Sequence, residues 1–313
     1  MNYQYLRTWR LLVTNTNSVS GSRTSLDLSD LRITFSIKRT NYQTPNIADI
    51  KVYNMSSETI KEIRSGFKRI SFQAGYGKDN EGVIFAGNIQ QTLVGRDTGT
   101  DTYIQFIASD GSQAYNYAFI NKSLVSGTTA QNDLNESIKT LKEYGVQPSL
   151  NTNLGATQKR PRGKVLYGNT KDVIRTTTRT TNNNWTIENE QLVIIPVSGY
   201  LNGQAVEINE TNGMIGSPQQ TLDGVNVKCL LNPKLSIGTR VKLNNNQIKG
   251  FVLDLQGEGS AKNIPNSLNS DGVYFVGVIE YTGDTRGPEW YSTLTMYTIN
   301  PALTQNAAVT GGA

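Results

Sequence analysis

GVIFAGNI, residues Gly82 to Ile89, returns near the other end of the chain as GVYFVGVI, residues Gly272 to Ile279. Each copy is an alternating apolar run, the period of a half-buried strand, with one glycine opening it and a second inside it. The flanks repeat as well. IKVYN (50–54), Gly66 and KRISF (68–72) precede the first copy. VKCLLN (227–232), Gly238 and TRVKL (239–243) precede the second. Downstream, a polar glycine-bearing turn (95–99) and YIQFIA (103–108) are matched by GDTRG (283–287) and YSTLTMY (291–297). The reading is two divergent copies of one small β-module. The alternative is two unrelated barrels sharing ordinary strand patterns.

Composition fits a strand-rich protein with many turns. The chain has 313 residues, 36% hydrophobic and 18% charged, with 29 glycines. That length supports two or three domains with real cores. A net charge of +5 is mild for so large a surface and does not single out nucleic acid. There is no histidine, which removes Ser-His-Asp and Cys-His catalysis, histidine general bases and nearly every zinc site. The one cysteine, Cys229, lies in an apolar strand and reads as a small buried hydrophobe. The N-terminus lacks the apolar length of a signal peptide, and no stretch approaches a membrane-spanning helix. Synthesis in a host cytoplasm is expected, with an extracellular particle as an allowed destination.

Between the copies the pattern changes. Leu31, Ile33, Phe35 and Ile37 alternate cleanly in the first module, and a short helix is expected over 57–65, capped by Ser56 or Ser57 and ended by Gly66. After Asp110 come an aromatic stretch (115–119), a helix over 129–144 ended by Gly145, and a polar loop (146–162). A strand at 164–167 follows, then a helix capped by Thr170 and a hairpin turning at Asn189 and Glu190. A loop over 257–272 and a frayed tail from 301 complete the expectations.

Chemistry is sparse. Asp110, Asp223, Asp254, Asp271 and Asp284 sit at expected strand ends or turns without a spacing motif, so they read as turn-formers rather than acid-base or metal groups. GRDTG (95–99) and GDTRG (283–287) lack phosphate-loop spacing. The basic cluster Lys159, Arg160, Arg162 and Lys164 reads as a solvated or protein-facing loop, with nucleic acid the weaker reading. Tyr274, Phe275, Tyr281, Trp290, Tyr291 and Tyr297 could form a sugar platform; strand packing explains them as readily.

Three segments carry a family resemblance: 31–63, the hairpin NNWTIENEQLVIIP (183–196), and the run from Ile208 to Leu243. In this order they resemble baseplate hub proteins of contractile-tailed bacteriophages, within the tail-hub and type VI secretion spike-base superfamily. The resemblance implies an α+β, mostly β chain. Two similar small β-barrel domains (1–110 and 205–300) flank a middle α/β domain (111–204), and 301–313 form a flexible tail. It implies a homotrimeric ring adapting a six-fold tail tube to a three-fold central spike, in the virion baseplate. Tail tube, central spike, wedge and tape-measure proteins are the implied partners, with DNA passing through the channel unspecifically. No catalysis, cofactor or metal is implied. The matched residues are structural: Gly82, Phe85, Gly87, Gly272, Phe275 and Gly277 in barrel walls, Gly216 and Pro218 in a loop before a barrel strand, and Asn232 and Pro233 in a turn after it. A carbohydrate- or receptor-binding tail protein is the alternative, and a role in a long non-contractile tail stays open.

Overall fold

The computed structural model describes residues 6–15, 24–77, 80–97, 99–197, 200–201, 203–221, 224–248 and 271–298. Asp223, Asp254, most of the expected 257–272 loop and the expected tail lie outside the described residues.

The chain opens with strands β1 (Arg7–Asn15), β2 (Thr24–Asp27), β3 (Ile33–Thr40) and β4 (Ile47–Tyr53). Helix α1 (Ser57–Gly66) then leads into β5 (Phe67–Tyr76), β6 (Asn80–Arg96) and β7 (Thr102–Ser109). The middle segment runs α2 (Ser112–Tyr117), β8 (Phe119–Leu124), α3 (Ala130–Glu143), β9 (Gln147–Pro148) and β10 (Lys164–Asn169). It ends with α4 (Thr170–Thr180), β11 (Asn183–Glu188) and β12 (Gln191–Pro196). The last part holds β13 (Val206–Glu207), β14 (Met214–Thr221), β15 (Gly224–Leu230), β16 (Arg240–Lys242), β17 (Val273–Asp284) and β18 (Trp290–Thr298).

Local chemistry explains the helix ends and the tight turn. The Ser56 hydroxyl accepts from the Thr59 amide and starts α1. Thr129 and Asn132 form a capping box on α3, and Gly145, at φ +88°, follows its end in the left-handed region. The cap of α4 is Asn169, whose side chain accepts from the Lys171 amide, and not the expected Thr170, which is fully buried. Asn189 and Glu190 both have positive φ, the two-residue geometry that matches the twist of a hairpin.

The strands outside the middle segment form one 13-stranded sheet, ordered β14-β15-β18-β17-β3-β4-β7-β6-β5-β1-β2, with β16 on β17 and β13 on β16. Within it one five-strand pattern occurs twice. The first module pairs β3·β4·β7·β6·β5 and the second β14·β15·β18·β17·β16, every ladder antiparallel. The registers agree residue for residue where the flanks repeat. Ile50 faces Phe106 and Tyr53 faces Tyr103, as Val227 faces Leu294 and Leu230 faces Tyr291. Beyond these strands, the Asn54 amide donates to the Thr102 carbonyl (2.8 Å), as that of Leu231 does to Trp290 (3.1 Å). Ile70 faces Gly87 as Val241 faces Tyr274. A cation lies over a ring at the same place in each: Lys51 Nζ over Tyr103 (4.9 Å) and Lys228 Nζ over Tyr291 (4.1 Å).

These ladders correct the motif match. In β6 the residue bulged against β7 is Gln90; in β17 the residue bulged against β18 is Gly277. Gly277 therefore occupies the place of Gln90, three residues beyond Gly87. A slide of three residues would invert a regular alternation, but Ile84 bulges against β5 and is buried beside Phe85, so the run is apolar in both phases and the motif alone cannot fix register, whereas the flanking strands do.

The modules meet at β17·β3, where Val278 faces Thr40 and Asp284 faces Thr34. The path has two ends, β14 and β2, so neither module closes on itself through ladders among the described residues. One apolar cluster runs through both modules, from Leu11, Ile33 and Phe72 to Tyr281, Trp290 and Leu294. A second cluster, with Leu134, Ile174, Trp185 and Leu192, fills the middle segment.

Candidate functional site

The residue that gathers the three parts of the chain is Arg39. It continues the inward phase of Ile33, Phe35 and Ile37 along β3, and it is only 3% exposed. Its Nη2 donates to the carbonyls of Val83 (3.3 Å) and Ile84 and to Asn189 Oδ1 (2.8 Å), and its guanidinium lies 5.4 Å from the Tyr281 ring centroid. One cation thus holds β6, the β11–β12 turn and β17. Asp110 and Glu188 are buried around it. Burial pushes the Asp110 carboxyl well above the usual carboxylate range, and Arg39 and a backbone amide only partly offset this. Burial likewise raises Glu188 against the pull of Arg39. Asp110 Oδ1 accepts from the Glu190 amide (2.8 Å), and Glu188 Oε1 from that of Ile237 (3.1 Å).

Side-chain amides complete this junction. Asn46 Nδ2 donates to the Ile187 carbonyl (2.7 Å), and Asn184 Nδ2 to that of Asn41 (2.8 Å). Gln43 bridges Asn184 and Arg175 (2.8 and 2.9 Å), and Arg69 pairs with Glu190. The hairpin of the middle segment is therefore clamped on the β-modules by polar groups that would be costly to separate.

The other charged candidates serve the fold. Arg160 grips the fully buried Asp133 with two bonds (2.7 and 2.6 Å), and Lys164 adds a third (2.7 Å). Half of the basic cluster is thus spent on an internal carboxylate, while Lys159 and Arg162 stay exposed. Asp284 binds Arg32 (2.7 Å); burial works to raise its carboxyl, but Arg32 and backbone amides outweigh burial and hold it below the usual range. Asp271 accepts from the Val273 amide, as a turn-former does. Cys229 is buried, and burial pushes its thiol up to about 12. Among the described residues no group of three or more acidic or cysteine side chains is placed to hold a metal, and no helix is long and apolar enough to cross a membrane.

The aromatic set is not a platform. Tyr274, Tyr281 and Trp290 have no exposure, and Trp290 packs edge-on against Phe35 (5.3 Å) and Trp9 (6.0 Å). Of the matched structural residues, Phe85 and Phe275 are core. Gly82 lies in β6, where an added Cβ would sit 3.0 Å from Pro233, so two of the matched residues touch across the modules. At the Gly277 bulge an added Cβ would meet the Tyr297 ring at 1.9 Å, so glycine is required there. Gly272, at φ +68°, turns the chain into β17, and Gly87 packs against Ser109 and Asp110. Gly216 and Pro218 are not in a loop before a strand: they form an irregularity inside β14. Asn232 caps the turn after β15 by accepting from the Lys234 amide (3.0 Å).

A family model described as baseplate hub gp41 matches residues 12–248. No curated protein matches. Among solved structures, the 43 kDa tail protein of prophage MuSo2 from Shewanella oneidensis is similar at TM-score 0.55 and 9% identity, over 95% of this chain and 98% of that one. The tail protein from Neisseria meningitidis MC58 is similar at TM-score 0.52 and 9% identity, over 93% and 96%. A chain of the lidded Francisella PdpA-VgrG complex is similar at TM-score 0.50 and 7% identity, over 96% of this chain and 54% of that one. At these identities the likeness is one of fold.

Proposed function

This chain belongs to the baseplate hub gp41 family, and we propose that it acts as a structural hub: three copies form a ring that adapts a six-fold tail tube to a three-fold central spike. The observation that carries this reading is the duplicated module. Two modules with one pairing order and one flanking register give three chains six like units, so a three-fold ring can offer six like surfaces. Each module serves as one small β-barrel of that ring. The Arg39 junction fixes the middle segment on both modules, so that a load on one part is passed to the others. The ring contacts the tail tube protein on one side and the spike on the other, with wedge and tape-measure proteins as further neighbours, and the protein resides in the tail baseplate. It turns over no substrate; Asp284 is held by Arg32, and Asp133 by Arg160 and Lys164.

A particle reconstruction at a resolution that separates strands tests this. Three copies in a single layer between tube and spike are expected. Six copies in that layer, or a location on the outer fibres, would overturn the reading.

A further inference from the structure

The middle segment holds a sheet of only two strands, β8 and β10, and its open face is apolar. The register puts Phe119 opposite Asn169, Asn121 opposite Tyr167 and Ser123 opposite Val165 on one face, with Ile120 and Leu166 on the other. Ile120 and Leu166 are buried. An antiparallel pair covered on one side ordinarily turns polar groups outward on the other. Here Phe119 (53%), Val165 (65%) and Tyr167 (71%) face out instead. Tyr117, just before β8, is as exposed as Tyr167, and the Tyr144 phenol donates to its carbonyl (3.0 Å), which carries the aromatic row toward the end of α3. No third strand joins this sheet among the described residues. Exposed aromatic side chains gathered on one face mark a place of association.

Charge says what kind of partner fits. Residues 111–132 and 144–171 supply both strands and their flanking turns, and they contain no aspartate or glutamate. They carry Lys122, Lys159, Arg160, Arg162, Lys164 and Lys171. Arg160 and Lys164 are taken up by Asp133, and the other four make no ion pair among the described residues. Lys171 follows β10 at one end of the sheet, with its Nζ 4.1 Å from the Tyr115 ring centroid. Lys122 lies within β8. Lys159 and Arg162 lie at the other end, where the Gly127 amide donates to the Arg160 carbonyl (2.8 Å) and the Arg160 amide to that of Thr128 (2.9 Å). We infer that this face docks an acidic segment of a different protein of the tail, one that sets apolar side chains on Phe119, Val165 and Tyr167 and carboxylates among the surrounding cations. The inference rests on the assembly reading above and adds a partner surface to it. A second copy is the poorer electrostatic match, because the whole chain carries +5. Nucleic acid is the poorer steric match. Phe119 and Tyr167 meet edge to face (5.2 Å, 89°) and so offer no row of parallel rings to successive bases, and Val165 offers no ring at all.

The test compares purified intact tails with the isolated full chain. Tetranitromethane should nitrate Tyr117 and Tyr167 in the isolated chain, and both should be lost from the nitrated set in tails. A carbodiimide, which joins an amine directly to a carboxylate in contact with it, should link Lys122, Lys159 or Lys171 to an aspartate or glutamate of a different tail protein, read by mass spectrometry. Equal nitration in both samples would overturn this face and leave the hub reading standing. Cross-links confined to another copy of the chain would overturn it in favour of self-association. Protection that disappears on nuclease treatment would assign the face to nucleic acid and overturn it too. Tails that lack the chain altogether would overturn both readings. As a variant, Tyr167→Glu changes an exposed side chain and sets a like charge before the partner's carboxylates, so tails carrying it should lose the cross-links; tails that keep them would overturn the inference. The nitration comparison needs no substitution and decides the matter even if the variant fails to fold.

Discussion

Replacing Arg39 by methionine keeps the length of its stem and deletes its charge. Arg39 is 3% exposed, and the carboxylates around it, Asp110 and Glu188, are 1% and 7% exposed. The variant leaves both without their cation, and it strips a donor from the carbonyls of Val83 and Ile84. Removing one partner from a buried charged set costs about 3–5 kcal/mol. The pH dependence gives the sharper check. Both carboxyls have folded-state pKa values raised above the unfolded ones by burial. A group of this kind stabilises the fold fully below its unfolded pKa, and the contribution is lost as pH rises through the folded value. Without Arg39 both values rise further, so the variant is hurt most where the carboxyls must ionise. Urea unfolding followed by tryptophan fluorescence should show a deficit of about 3–5 kcal/mol near pH 8, shrinking as the pH approaches about 4.5. A deficit below about 1 kcal/mol at the higher pH, or one that grows in acid, would refute the role assigned to Arg39.

Asp133→Asn strands Arg160 and Lys164 beside a buried amide, and it should destabilise the middle segment by about 3 kcal/mol in the same assay. Gly277→Ala drives a methyl into the Tyr297 ring and should cost about 1–3 kcal/mol by thermal unfolding, with Tyr297→Ala in the same chain recovering part of the loss. Lys51→Ala and Lys228→Ala remove equivalent cations from equivalent rings, so each should cost about 0.5–1 kcal/mol; an effect on one alone would count against the equivalence. The Cys229 thiol should not react with a thiol reagent at neutral pH in the folded chain and should react fully in denaturant.

Much of the strand order could be read from the residues because two independent periodic signals coincide. The alternation of Ile33, Phe35 and Ile37 marks β3, and the repeated flanks at 50–54 and 227–232 mark strands that occupy one place in each module. The register of the central repeat could not be read, because a bulge moves the phase without leaving a residue-type signature: Gln90 serves in one module where Gly277 serves in the other. The site was the less visible part. Arg39 carries a signal, since a charge on the inward phase of a clean alternating strand demands a buried partner. That its carboxylates would come from Asp110 and Glu188 depends on contacts between residues far apart in the chain, which no local pattern encodes. The pairing of Arg160 and Lys164 with Asp133 was hidden for the same reason.

The β17·β3 seam also bears on how the molecule is made. Its two strands, Ile33–Thr40 and Val273–Asp284, lie far apart along the chain, so on the ribosome β3 is complete long before β17 exists. At about 5–20 residues per second the wait is roughly ten to fifty seconds. Throughout that interval the nascent first module carries a bare, well-formed strand margin, and crowded polysomes bring many such margins together. Synthesis speed and chaperone supply, more than the equilibrium stability of the finished chain, will govern how much soluble protein an infected or expressing cell yields.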